Sequence, residues 1–181
     1  KSPYVDVETI VLAFSILKSL GLKDIKVCLN TLGDDESRAN YRSALKEYFA
    51  PYLDELCGDC KRRYEQNPLR ILDCKVDHDH ECMKNAPKMS DYLNEASQEY
   101  FNTVCELLDK FEIPYEVDDK LVRGLDYYTH TVFEIVSMNS EMGAQSTVLA
   151  GGRYDGLISY FGGPEGMSGI GWALGMERLL I

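Results

Sequence analysis

Three short blocks in the last third of the chain combine residue types suited to a charged, planar ligand. The first is Leu121-Val122-Arg123-Gly124-Leu125-Asp126-Tyr127-Tyr128. It brings a guanidinium, a carboxylate and two phenols together, and Gly124 lets the backbone turn so that they converge. The second is Ala150-Gly151-Gly152-Arg153-Tyr154-Asp155-Gly156-Leu157, whose paired glycines admit close approach of a ligand, with Arg153 and Tyr154 at the start of a following helix. The third is Gly169-Ile170-Gly171-Trp172-Ala173-Leu174-Gly175-Met176-Glu177-Arg178. There Gly169 and Gly171 share one strand face and leave a bare floor for a flat ring, while Arg178 in the next helix can meet a polyphosphate. This is neither a Walker A loop, since no Gly-Lys-Ser/Thr follows, nor a dinucleotide fingerprint, since the glycine spacing differs. Taken singly, each block reads equally well as turn and strand-edge packing.

A fourth cluster joins Cys57-x-x-Cys60, Cys74, Asp77-His78-Asp79-His80 and Cys82. Zinc takes four ligands of this kind, and Cys57, Cys60 and Cys74 with Cys82 or His80 supply them. Reduced thiols in an acidic module are the preferred alternative, so structural zinc stays open and no metal set is assigned. His130 lies within a strand-like run and reads as structural rather than as a general base. No Ser/His/Asp order or metalloprotease spacing is present.

Helices and strands must position these blocks. Val7, Ile10, Val11, Phe14, Leu17 and Leu20 repeat at helical spacing, with Gly21 as the stop. Residues 25–30 alternate as a strand. Tyr41, Ala44, Leu45, Tyr48 and Phe49 mark a second helix, and a third is expected from an N-cap at Ser90 through Phe111. Residues 131–136 and 146–150 read as paired strands, ended by Gly151-Gly152, with a short helix over 154–161. Residues 168–172 then read as a strand feeding a helix over 174–180. Hairpin-length links favour antiparallel pairing. The expected fold class is α+β, an antiparallel sheet flanked by helices with a mainly helical insertion. The expected divisions are 1–45 and 113–181 as core and 46–112 as the insertion.

The 181 residues carry 19 basic and 30 acidic groups, so 19 − 30 = −11. Ordinary apolar and charged fractions, 45% and 27%, exclude disordered and collagen-like classes. No apolar run reaches the roughly 20 residues that span a bilayer. Six Cys without disulfide spacing suit a reducing cytoplasm. The acidity argues at first against nucleic acid. Residues 51–120, however, hold 9 basic and 17 acidic groups, so most of the excess is confined there. The last 61 residues hold eleven of the 14 glycines and just three basic groups, Arg123, Arg153 and Arg178, one per block.

In order and wording the three blocks resemble histidyl-tRNA synthetases. The first two are similar to that family's histidine-binding motifs, and Gly175-Met176-Glu177-Arg178-Leu179 is similar to motif 3 of class II aminoacyl-tRNA synthetases. Arg38-Ala39-Asn40-Tyr41-Arg42 and Asn67-Pro68-Leu69-Arg70-Ile71-Leu72-Asp73 extend the resemblance upstream. It implies an enzyme that joins histidine to ATP, with Mg, as histidyl-adenylate and then charges tRNA(His). It implies Arg123 as the catalytic group, on the α-phosphate and the histidine carboxylate. Tyr127 and Tyr128 would shape the histidine pocket, supported by Arg153 and Tyr154. Arg178 would meet the γ-phosphate, with Gly169 and Gly171 beneath the adenine. The insertion would lie near the tRNA acceptor stem, touching RNA through local patches such as Lys61-Arg62-Arg63.

The resemblance further implies a homodimeric parent enzyme with no membrane partner. Motifs 1 and 2 and the anticodon-binding domain are not found, so the chain reads as part of a catalytic domain with little activity alone. The rival reading is a synthetase-like regulatory subunit of ATP phosphoribosyltransferase. The intact Arg123, both tyrosines and the complete Gly-Gly-Arg-Tyr-Asp-Gly run favour the ligase.

Overall fold

The computed structural model describes residues 1–122, 127–139 and 146–180. Helix α1 (Pro3–Ser19) starts where Ser2 accepts a hydrogen bond from the Tyr4 amide at 3.3 Å. Its apolar stripe is buried, and Gly21 follows the C-cap at φ 100°, the left-handed conformation glycine adopts freely. Strand β1 (Ile25–Thr31) and helix α2 (Asp35–Phe49) come next. Short pieces then follow: α3 (Gly58–Gln66), a 3-10 turn (Pro68–Ile71), α4 (Glu81–Lys84) and a second 3-10 turn (Met89–Tyr92). The long α5 (Glu95–Lys110) leads to β2 (Tyr115–Val117), β3 (Thr129–Ser137), β4 (Thr147–Arg153), α6 (Leu157–Tyr160) and β5 (Ile170–Leu174).

The five strands form one sheet in the order β2-β1-β3-β4-β5. Strands β1, β3, β4 and β5 are antiparallel in succession, while β2 joins β1 in parallel. That parallel edge is possible because residues 32–114 make a crossover far longer than a hairpin.

Several boundaries differ from the sequence expectation. Strand β4 runs through Gly151 and Gly152 to Arg153, because neighbouring side chains fill the room the glycines leave. Residues 174–180 do not form an α-helix: Leu174 ends β5, and a 3-10 turn spans Met176–Leu180. The short helix is four residues, Leu157–Tyr160.

Asn94, not Ser90, caps α5, accepting from the Ser97 amide at 2.9 Å. Asp34 caps α2 in the same way, accepting from the Ser37 amide at 2.9 Å. The two caps also brace each other: Asn94 Nδ2 donates to Asp34 Oδ2 at 2.7 Å, and the Asp34 amide donates to Ser97 Oγ at 3.2 Å. Burial opposes charge on Asp34, yet these bonds hold its carboxyl down at about 2.

The core has two apolar clusters. One packs α1 and α5 on the sheet through Val7, Ile10, Leu17, Val27, Val104, Leu108 and Phe133. The other gathers α2 and the short middle elements around Tyr41, Phe49, Leu69, Ile71 and Met89, and reaches Tyr128 and Val132. Within residues 46–112, therefore, α5 packs with the sheet layer. The described middle residues up to about Leu93 belong instead to the second cluster, which they share with α2, Tyr128 and Val132.

Candidate active site

The end of β4 and the facing stretch of β5 build the most distinctive surface. Gly151 pairs with Trp172, and Gly152 with Gly171. A Cβ on Gly152 would stand 2.8 Å from the Tyr128 ring and 2.9 Å from the Thr131 carbonyl, so only a glycine lets that ring lie on the strand. A Cβ on Gly151 would meet the Gly171 carbonyl oxygen. Tyr127 and Tyr128 stand 5.0 Å apart between ring centroids, and Tyr127 meets Tyr154 edge-on at 6.2 Å. These three tyrosines with Ala150, Leu157, Gly171, Trp172 and Ala173 enclose a cleft of about 450 Å³. Its rings and bare backbone suit a small planar ligand, with phenol hydroxyls to orient it.

Each expected residue can now be placed. Tyr127, Tyr128, Tyr154 and Gly171 share the cleft. The Tyr154 ring covers Gly169, where an added Cβ would fall 2.4 Å from it, and its hydroxyl lies over Gly171. Arg178 sits half-buried in the 3-10 turn after β5 and is not among the residues lining the cleft. Arg123 lies outside the described residues.

Arg153 turns into the core and is 1% exposed. Its Nε donates to Asp6 Oδ1 at 3.0 Å, its Nη2 also bonds Asp6, and its Nη1 donates to Asp155 at 2.7 Å. Asp6, fully buried, accepts further bonds from the Tyr100 hydroxyl at 2.9 Å and the Thr131 hydroxyl at 2.6 Å. One carboxylate thus ties α1, α5, β3 and β4 together at the residue before Tyr154. Asp6 and Arg153 lie 147 residues apart, so the pair has no local signature in the sequence.

A second cavity of about 880 Å³ lies beside the first and shares Tyr127 and Leu157 with it. His130 lines it at φ 49°, in an irregularity where β3 has two residues, His130 and Thr131, without partners in β4. Among the described residues, neither of its ring nitrogens has a hydrogen-bond partner. Burial, with Lys1 adding repulsion, pushes its pKa down to about 4, so the ring is neutral at pH 7.

The cysteine cluster closes differently from the sequence expectation. Cys57, Cys60 and Cys74 converge, and the fourth group is Asp77, with all four ligand atoms within 4.8 Å of one another. Cys82 instead meets His80 Nδ1 at 3.0 Å. The Asp77 carboxylate beside Cys57 pushes that thiol up, and burial pushes the Cys60 thiol up.

A family model described as histidyl-tRNA synthetase matches residues 1–179. The histidine–tRNA ligase of Bacillus velezensis is 54% identical over 180 residues, covering 99% of this chain and 42% of that protein. Apo histidyl-tRNA synthetase of S. aureus superposes with a TM-score of 0.80 at 42% identity, covering 99% of this chain and 43% of that one. A Bacillus halodurans protein described as an ATP phosphoribosyltransferase regulatory subunit/histidyl-tRNA synthetase superposes at 0.60 with 19% identity, covering 99% of this chain and 50% of that one. That likeness is one of fold alone. The chain spans less than half the length of the ligases it matches. The three blocks, the mainly antiparallel sheet and the match over nearly every residue agree: this chain belongs to the histidyl-tRNA synthetase family.

Proposed function

We propose that this chain is the part of a histidine–tRNA ligase that holds histidine and one wall of the ATP site. The convergence of Tyr127, Tyr128 and Tyr154 on one cleft over the glycines of β4 and β5 carries this reading. In the proposed reaction a histidine carboxylate oxygen attacks the α-phosphorus of ATP. The bond to the β-phosphate breaks, pyrophosphate leaves, and histidyl-adenylate remains for transfer to tRNA(His). No side-chain nucleophile is needed; positioning and charge stabilisation carry the step.

Arg123 is assigned to the α-phosphate and the carboxylate, and Tyr128 to the imidazole. Arg178 is assigned to the γ-phosphate, and Gly169 and Gly171 to the adenine once the Tyr154 ring swings off them. Arg153 acts by position, holding β4 beneath Tyr154. The described residues that line the cleft include no carboxylate, so the Mg²⁺ that accompanies ATP in the family is assigned no ligand among them. The middle core, about 46–94, is assigned to the insertion near the acceptor stem, with the parent enzyme a cytoplasmic homodimer. Among the described residues no helix is long and apolar enough to cross a membrane. The regulatory reading is the weaker one, since 54% identity is with a ligase and the regulator-like chain shares fold alone.

The test is ATP–pyrophosphate exchange by the enzyme that contains this chain, assayed with each amino acid in turn. Exchange that depends on histidine supports the reading, and exchange indifferent to histidine contradicts it. In the same assay Gly152→Ala is expected to raise the KM for histidine about tenfold, the equivalent of about 1.4 kcal/mol, because its methyl displaces the Tyr128 ring. The KM for ATP should move far less. Equal shifts in both constants would remove Gly152 from the histidine pocket.

A further inference from the structure

We propose that Cys57, Cys60, Cys74 and Asp77 bind one zinc ion, a site separate from the tyrosine cleft. A tetrahedron with zinc–sulfur arms of about 2.3 Å has sulfur–sulfur edges of roughly 3.8 Å, and a sulfur–oxygen edge of roughly 3.5 Å. Cys57 Sγ and Cys74 Sγ are 3.7 Å apart, and Cys74 Sγ and Asp77 Oδ2 are 3.6 Å apart. These distances fit a metal tetrahedron and are far beyond a disulfide bond of about 2.05 Å. A span of 4.8 Å for all four ligand atoms leaves room for a single ion.

The surroundings are built for the same purpose. Cys57 is the N-cap of α3 and Cys60 lies in its first turn, so the x-x spacing aims both sulfurs one way. Cys74 and Asp77 repeat that spacing on the far side of the 3-10 turn. The Asp77 amide donates to Cys74 Sγ at 3.4 Å and orients that sulfur. The Cys57 amide donates to Asp77 Oδ2 at 3.1 Å and fixes the carboxylate. Cys60 and Cys74 are 0% and 4% exposed, so an ion held there would be shielded from water.

The middle core also has need of such a staple. Its helices α3 and α4 are nine and four residues long, too short to hold themselves. Binding would release three thiol protons to solvent as three sulfur–zinc bonds and one oxygen–zinc bond form. Cys82 is outside the set, which separates this site from a four-cysteine one.

The chain is reduced, stripped with a chelator and titrated with Zn²⁺, with bound metal counted by elemental analysis. Co²⁺ is then substituted to record its thiolate charge-transfer and d–d bands. The expected result is one zinc per chain and a tetrahedral cobalt spectrum. Cys74→Ser should abolish stoichiometric binding. Asp77→Ala should weaken it at least about tenfold and alter the cobalt bands, and Cys82→Ser should change neither. Because Cys74→Ser is open to misfolding, the wild-type cobalt spectrum and Asp77→Ala stand as independent readouts. No zinc retained by the reduced wild type would overturn the proposal. So would an unaltered spectrum in Asp77→Ala, or loss of binding in Cys82→Ser.

Discussion

Asp6→Asn is expected to destabilise the folded chain by about 3 kcal/mol, the low end of the cost of breaking a buried ion pair, since Asp155 stays beside Arg153. The substitution keeps the shape of the side chain and removes its charge. Arg153, 1% exposed, would then face an amide that cannot accept from it in the same way. The Tyr100 and Thr131 hydroxyls would lose an ionised acceptor as well. Burial works against the Arg153 charge, and its bonds to Asp6 and Asp155 more than offset that. Since stabilities of this order are commonly about 5–15 kcal/mol in total, the variant would stand near the threshold of folding. Urea denaturation of both proteins at pH 7 measures the difference. A loss below about 1 kcal/mol would mean that the pair does not bind α1 to β4 as described.

The second large effect is a pH dependence that belongs to His130. Its pKa in the fold is about 4, against about 6.5 for a free imidazole. Between those values the unfolded chain binds a proton that the folded chain refuses. Stability from this group is therefore complete above about pH 6.5 and is lost as pH falls toward 4, by about 3 kcal/mol in all. Asp34, Asp6 and Asp155 favour the charged form, while burial and Lys1 oppose it and prevail. Asn does not titrate and tolerates the left-handed φ of 49° at this position, so His130→Asn is the control. Unfolding of both proteins at pH 7 and pH 4 should show the wild type losing about 3 kcal/mol more than the variant. Equal losses would place the titration elsewhere.

What the sequence made legible follows from the range of each interaction. Helix α1 is readable because its stripe is local, and the β3–β4 pair because alternation and turn lie close together. The three blocks are readable because their chemistry is contiguous. The fourth member of the cysteine cluster was not, since softness points to Cys82 or His80 while backbone geometry brings in Asp77. The buried role of Arg153 was hidden for a similar reason: nothing near it in sequence announces Asp6. Gly151 and Gly152 look like a strand end, whereas they extend the strand so that Trp172 and Tyr128 can press against it. The reciprocal caps Asp34 and Asn94 likewise depend on two helix starts meeting in space. His130 reads as an ordinary strand residue because the β3 irregularity that exposes it to a cavity has no local signature.

If the tyrosine cleft receives histidine, the chain carries its own reporter there. Trp172 is the single tryptophan, and it lines that cleft. Its fluorescence should change saturably as histidine is added. Tyr128→Phe, which removes a hydroxyl and keeps the ring, should weaken that response about tenfold, the loss of one buried hydrogen bond. No saturable change with histidine, or the same titration curve in wild type and Tyr128→Phe, would contradict the account.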